Sequence, residues 1–123
     1  MKSMTLEDVR RVLEAEVIVG KDLLHRRVKM GCGSDLMSDV LAFIKPASLL
    51  LTGLTNQQTV RTAEMQDIVA ICFVRGKKPT DETVKLAQLK NIPLLATRFR
   101  MFEACGRLYT EGLPGDYEAT ESG

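Results

Sequence analysis

The stretch from Asp67 to Thr97 constrains the fold more than any other part of this chain. Ile68–Val74 is an uncharged apolar run, the pattern of a strand covered on both faces. Arg75-Gly76-Lys77-Lys78-Pro79 interrupts it. Thr80 then stands where a helix N-cap belongs, and Asp81 and Glu82 suit the positive end of the helix dipole. The helix is predicted to run to about Lys90, with Asn91 ending it and Ile92–Ala96 forming a second short buried strand. Two apolar strands joined by a helical crossover make a parallel, right-handed βαβ unit.

The flanking chain extends the same pattern. Thr5 caps a first helix, Leu6 to about Ala15, and Glu16–Val19 reads as a strand closed by Gly20. Val28–Met30 is predicted as an edge strand, Gly31–Asp35 as a flexible turn, and Leu36–Phe43 as a helix capped by Ser34 or Asp35. Ser48–Leu51 is the third strand, and Thr52–Gln57 a polar turn at its end. Asn56–Gln66 reads as a polar helix whose core residues are Val60, Ala63 and Met65, placing it at the surface or against a partner. A last helix, Met101 to about Glu111, carries Phe102, Cys105, Leu108 and Tyr109 on one face, with Phe102 expected in the core. Gly112 and Pro114 stop it. The expected architecture is α/β, a layered sandwich with a mainly parallel central sheet of about five strands. Residues 1–115 form one domain, and 116–123 an acidic, disordered tail.

Composition narrows the function. The net charge is +1, which draws the chain to neither nucleic acid nor membrane. The start of the chain has no apolar signal stretch and no run approaches membrane-spanning length, so the cytoplasm is expected. Cys32, Cys72 and Cys105 have neither metal-ligand nor redox spacing. No cofactor is expected. Cys72 and Cys105 read as small core residues, and His25, the only histidine, as a solvated turn residue.

Two near-motifs fail. Gly76-Lys77-Lys78-Pro79-Thr80 follows a strand and opens a helix, as a phosphate loop does. The glycine required five residues earlier is Ile71, however, and Lys78 stands where Ser or Thr is needed. Gly31-Cys32-Gly33 begins a dinucleotide fingerprint, but its third glycine position is Leu36. Arg98-Phe99-Arg100 mixes basic and aromatic residues, yet an aromatic content of 5% does not support a single-strand binder.

Geometry supplies the candidate site. Ligands of parallel α/β sheets sit beyond the C-terminal ends of the strands. Those ends carry Thr52, Gly53, Thr55 and Asn56, then Gly76 and Lys78, then Thr97 and Arg98. Hydroxyls, glycine amides and basic side chains (Arg75 and Lys77 among them) converge there, which suits a small anionic or phosphorylated ligand.

Four segments carry a family resemblance: Ser34–Ala42, Gly76–Thr83, Ile92–Thr97 and Phe102–Tyr109. Through them the chain resembles the DRTGG domain family, in particular its short stand-alone members. The resemblance implies a fold like the N-terminal domain of HPr kinase/phosphorylase, without that enzyme's phosphate-loop domain and so without kinase activity. Relatives fused to CBS domains or to phosphotransacetylase imply a regulatory, dimer-forming role. Short members found beside hydrogenase and sensor-kinase genes imply a redox-linked partner. The chain departs from the family pattern after the third strand. Gly53-Leu54-Thr55 and Thr55-Asn56-Gln57 stand where relatives have Gly-Asp-Arg or His-Pro-Asn, which alters the chemistry of any site there. The expectation is a non-catalytic, homodimeric regulatory domain that binds a small anion. The alternative is a protein-protein adaptor without a small ligand.

Overall fold

The computed structural model describes residues 3–117. The elements run β1 (Met4–Thr5), α1 (Leu6–Val12), β2 (Glu16–Val19), β3 (Arg27–Val28), β4 (Met30–Gly33), α2 (Met37–Phe43), β5 (Ser48–Thr52), α3 (Gln57–Met65), β6 (Ala70–Phe73), α4 (Asp81–Lys90), β7 (Leu94–Ala96) and α5 (Met101–Thr110). A five-stranded sheet has the order β2-β7-β6-β5-β4. Strands β4 to β7 are mutually parallel, and β2 runs antiparallel beside β7. A small antiparallel pair, β1 with β3, lies apart from it. The mainly parallel α/β sandwich expected from the sequence is what forms. Of the acidic tail, residues 118–123 lie outside the described residues.

Strand periodicity sorts the core into two layers. Leu49, Leu51, Ala70, Cys72, Val74 and Leu95 share one layer with Leu6, Val9 and Leu13 of the α1 segment and Ala104 and Leu108 of α5. Leu50, Ile71, Phe73 and Leu94 belong to the other, with Val40 and Ile44 from the α2 segment, Val60 and Ala63 from α3, and Ala87 from α4. Alternate residues point to opposite faces, so a strand covered on both sides must be apolar throughout. Each fully buried Leu, Ile or Phe contributes about 1.5–3 kcal/mol of burial.

Local chemistry sets the helix ends. The Thr5 hydroxyl accepts from Asp8 N at 3.1 Å, and the Asp8 carboxylate accepts from Thr5 N at 3.1 Å, a reciprocal capping box. The Thr80 hydroxyl accepts from Thr83 N at 3.3 Å, and Asn91 closes α4 in the left-handed region at φ 56°.

Several expectations need correction. The segment Gly31–Asp35 is not a turn: Met30–Gly33 is a strand at the sheet edge, paired in parallel with β5. Its glycines answer to packing. A Cβ on Gly33 would stand 2.7 Å from Cys105 Sγ and 2.9 Å from Met101 Sδ, and one on Gly31 would stand 3.2 Å from Leu113 Cδ2. Val28–Met30 is not one strand. Val28 ends β3 and Met30 begins β4, with Lys29 N bonded to Ala47 O at 2.8 Å between them. Helix α1 stops at Val12, short of Ala15, because Glu14 takes a left-handed turn at φ 49°. Neither Ser34 nor Asp35 caps α2. Leu36 holds the cap position without a side-chain bond. Met65 is 68% exposed, while Thr59 and Thr62 are buried in its place. Phe102 is 92% exposed, because the buried stripe of α5 falls on Ala104 and Leu108.

Candidate functional site

The register brings the strand exits level. Thr52 lies beside Phe73, and Phe73 beside Ala96, so β5, β6 and β7 end on one rim. The segments beyond them are stitched together. Val74 N donates to Thr52 O at 3.0 Å, Arg75 N to Phe99 O at 2.8 Å, and Gly76 N to Thr97 O at 2.9 Å. Arg75 and Gly76 both have positive φ, 63° and 70°, and Lys77 N bonds to Val74 O at 3.2 Å. A tight turn of this kind suits Gly76, where a left-handed conformation is free of Cβ strain.

The rim divides the eight candidate residues into two groups. Gly76, Lys78, Thr97 and Arg98 line one cleft of about 320 Å³, together with Glu14, Glu16 and Ala96. Lys78 is ion-paired with Glu16. The Thr97 side chain turns inward: its hydroxyl donates to Leu13 O at 2.7 Å and accepts from Phe99 N at 3.3 Å. Thr97 therefore offers the cleft no free hydroxyl.

Thr52, Gly53, Thr55 and Asn56 form the second group, on the loop between β5 and α3. Asp35 holds it. A single carboxylate oxygen accepts from the Thr52 hydroxyl at 2.9 Å and from Gly53 N at 2.6 Å. The Arg75 guanidinium lies over Gly53, in the space that a Cβ would need. Thr55 O accepts from the Thr83 hydroxyl at 2.9 Å, tying the loop to α4. Thr52 and Gly53 are buried, whereas Asn56 is exposed at the start of α3 with no side-chain cap bond. The accessible members of the candidate set are thus Asn56, Gly76, Lys78 and Arg98, with Thr55 half-buried.

Sequence reasoning missed the acids. Glu14 and Glu16 reach the cleft because β2 runs antiparallel, which sets its N-terminal end against the C-terminal end of β7. Asp35 reaches the loop because β4 is a strand that delivers it to the rim. The basic side chains therefore face carboxylates, and the rim is mixed in charge. Its exposed ion pair is weak: Lys78 and Glu16 side chains are 59% and 63% exposed, and such pairs contribute about 0–1 kcal/mol.

The thiols are subdued. Burial pushes the Cys72 thiol up to about 12. Desolvation also raises Cys32 and Cys105, each half-buried. Among the described residues, no group of three or more His, Cys, Asp or Glu side chains could hold a metal ion. None of the described helices is long and apolar enough to cross a membrane.

Comparison with known proteins identifies relatives of the fold. The model of the DRTGG domain family matches residues 8–110. Among solved structures, the fold is similar to the CBS and DRTGG domains of the regulatory region of Clostridium perfringens pyrophosphatase, a crystal structure complexed with its activator, diadenosine tetraphosphate. The TM-score is 0.71 at 21% sequence identity, over 92% of this chain and 49% of that one. The chain thus spans about half the length of that structure. No curated protein matches it.

Proposed function

The chain belongs to the DRTGG domain family, and on that premise we propose that it is a non-catalytic regulatory domain, working as a homodimer, that binds a small anionic or phosphorylated ligand at the C-terminal ends of β5, β6 and β7. The observation that carries the reading is the convergence of Gly76, Lys78 and Arg98 on one cleft at that rim. Arg75 on the adjacent loop supplies a further cation. The structurally similar pyrophosphatase region was solved with a nucleotide activator, which supports the same ligand class here. An anion entering the cleft takes Lys78 from Glu16. The exchange costs little, because the existing pair is exposed and weak.

The test is calorimetric titration with nucleotides and phosphorylated metabolites, diadenosine tetraphosphate first. One member of the panel should bind, and Lys78→Ala and Arg98→Ala should each weaken it by about tenfold, the loss of roughly one charge-assisted contact. Silence across the panel overturns the reading. A second reading, a protein adaptor without a small ligand, is favoured by Glu14 and Glu16, which oppose an anion in the cleft. Under it, a stoichiometric protein partner from native extract is retained by both variants.

A further inference from the structure

The cleft at the rim holds charges of both signs, and they are only partly paired. Glu14, Glu16, Lys78 and Arg98 line it, two carboxylates against two cations. Lys78 is taken by Glu16. Among the described residues, neither Glu14 nor Arg98 belongs to an ion pair, although they share the cleft. Their backbones are nevertheless fixed side by side. The buried Thr97 hydroxyl donates to Leu13 O at 2.7 Å, and Arg98 and Glu14 are the next residues on those two segments. Glu16 lies beside Ala96 in the register of β2 with β7. Glu14 takes its turn in the left-handed region at φ 49°, which glycine would adopt without a Cβ penalty. The turn alone does not call for a glutamate; what the residue adds is a carboxylate in the cleft.

We infer that the ligand of this cleft carries an ammonium group beside its anionic group, with the anion seated on Arg98 and Lys78 and the ammonium on Glu14 and Glu16. This rests on the reading of the rim as an anion site and names the ligand class. Charge matching carries it. The four side chains sum to zero, so a bare anion gains two cations and meets two carboxylates in the same space. It also strips Glu16 of its partner when it draws Lys78 away. A ligand bearing both signs exchanges pairs instead of breaking one. Lys78 passes to its anion and Glu16 to its ammonium, while Arg98 and Glu14 gain partners of opposite charge. The carboxylates then discriminate, because they repel an anion that brings no amine. Size and lining agree. About 320 Å³ suits a small metabolite, and none of the described residues lining the cleft is aromatic, so a nucleobase finds no ring to stack on.

Calorimetric titration of the full chain at low ionic strength tests it with two matched pairs of probes. One is O-phosphoethanolamine against 2-hydroxyethyl phosphate, the other β-alanine against 3-hydroxypropionate. In at least one pair the amine should bind about tenfold more tightly than the hydroxyl compound, the difference made by roughly one charge-assisted contact. Glu14→Gln and Glu16→Gln should each cut that preference severalfold by weakening the amine. The hydroxyl compound should tighten, since each change removes a carboxylate that opposes it. Circular dichroism should be unchanged, because both side chains are exposed. Amine and hydroxyl bound alike, a preference that survives both variants, or equal losses of both compounds in the variants overturns the inference and leaves the anion site standing. So does a nucleotide that binds where all these probes fail. Silence from the probes, from nucleotides and from phosphorylated metabolites alike overturns the anion site and this inference together.

Discussion

Asp35 is the residue whose replacement tests the architecture of the rim most directly. One of its carboxylate oxygens accepts from the buried Thr52 hydroxyl and from the Gly53 amide at 2.9 and 2.6 Å. Hydrogen bonds to a charged group contribute about 1.5–3 kcal/mol each, and a buried donor left unsatisfied costs about 1–3 kcal/mol. Asp35 itself is exposed, which moves the sum toward the lower end through solvent screening. Asp35→Ala should therefore cost about 2 kcal/mol, or a fall in Tm of roughly 8 °C for a domain of this size. Asp35→Asn keeps a carbonyl acceptor and should cost about half as much. The assay is urea unfolding at neutral pH followed by circular dichroism, run as a double-mutant cycle with Thr52→Val. In the Thr52→Val background one donor is gone, so Asp35→Ala should cost about 1 kcal/mol less. Native-state hydrogen exchange adds a local readout, because the Gly53 amide should lose protection in Asp35→Ala. A change below about 0.5 kcal/mol, additive with Thr52→Val, would show that Asp35 does not hold this loop, and the argument for a preformed rim would fail with it.

Two further outcomes follow from titratable groups. Bonds from the Thr5 backbone and hydroxyl, with the Arg11 guanidinium, hold Asp8 below its ordinary value of 3.8. A depressed carboxyl stabilises the fold above its unfolded pKa and loses that contribution as pH falls through the folded one. Asp8→Ala should therefore lower stability at pH 7 and leave it unchanged once pH is well below 3.8, read as convergence of the two acid-unfolding curves. Cys72, with its thiol pushed up to about 12 and no exposure, should resist alkylation at pH 8 in the native protein and react fully in denaturant. Native labelling at Cys72 as fast as at Cys32 would contradict the packing of β6.

The parts of this fold legible in the sequence are those that two independent signals mark. Ile68–Val74 is apolar without interruption, and Thr80 and Asn91 bracket α4 with a cap at each end, so β6, α4 and β7 could be read directly. Strand β4 was hidden because two of its four residues are glycine, and the tertiary contacts that require them, from Met101, Cys105 and Leu113, come from far along the chain. The stripe on α5 was misplaced by size. Met101, Ala104, Cys105 and Leu108 follow the i, i+3, i+4, i+7 pattern, but Ala104 is small, whereas Phe102 and Tyr109 draw the eye to the wrong arc. The direction of β2 is not in its residues at all. Glu16–Val19 reads the same whether it runs with its neighbour or against it, so nothing local could foretell that Glu16 would meet Lys78.

The rim and the α5 face are not independent surfaces. Phe99 joins them. Its carbonyl takes the Arg75 amide at 2.8 Å, and its amide is held by the Thr97 hydroxyl at 3.3 Å. Its ring carries the Arg107 guanidinium at 4.0 Å from the centroid. Arg98, which lines the cleft, is its immediate neighbour. A ligand that repositions Arg98 or the Arg75–Gly76 turn therefore acts on the residue that seats Arg107 on α5.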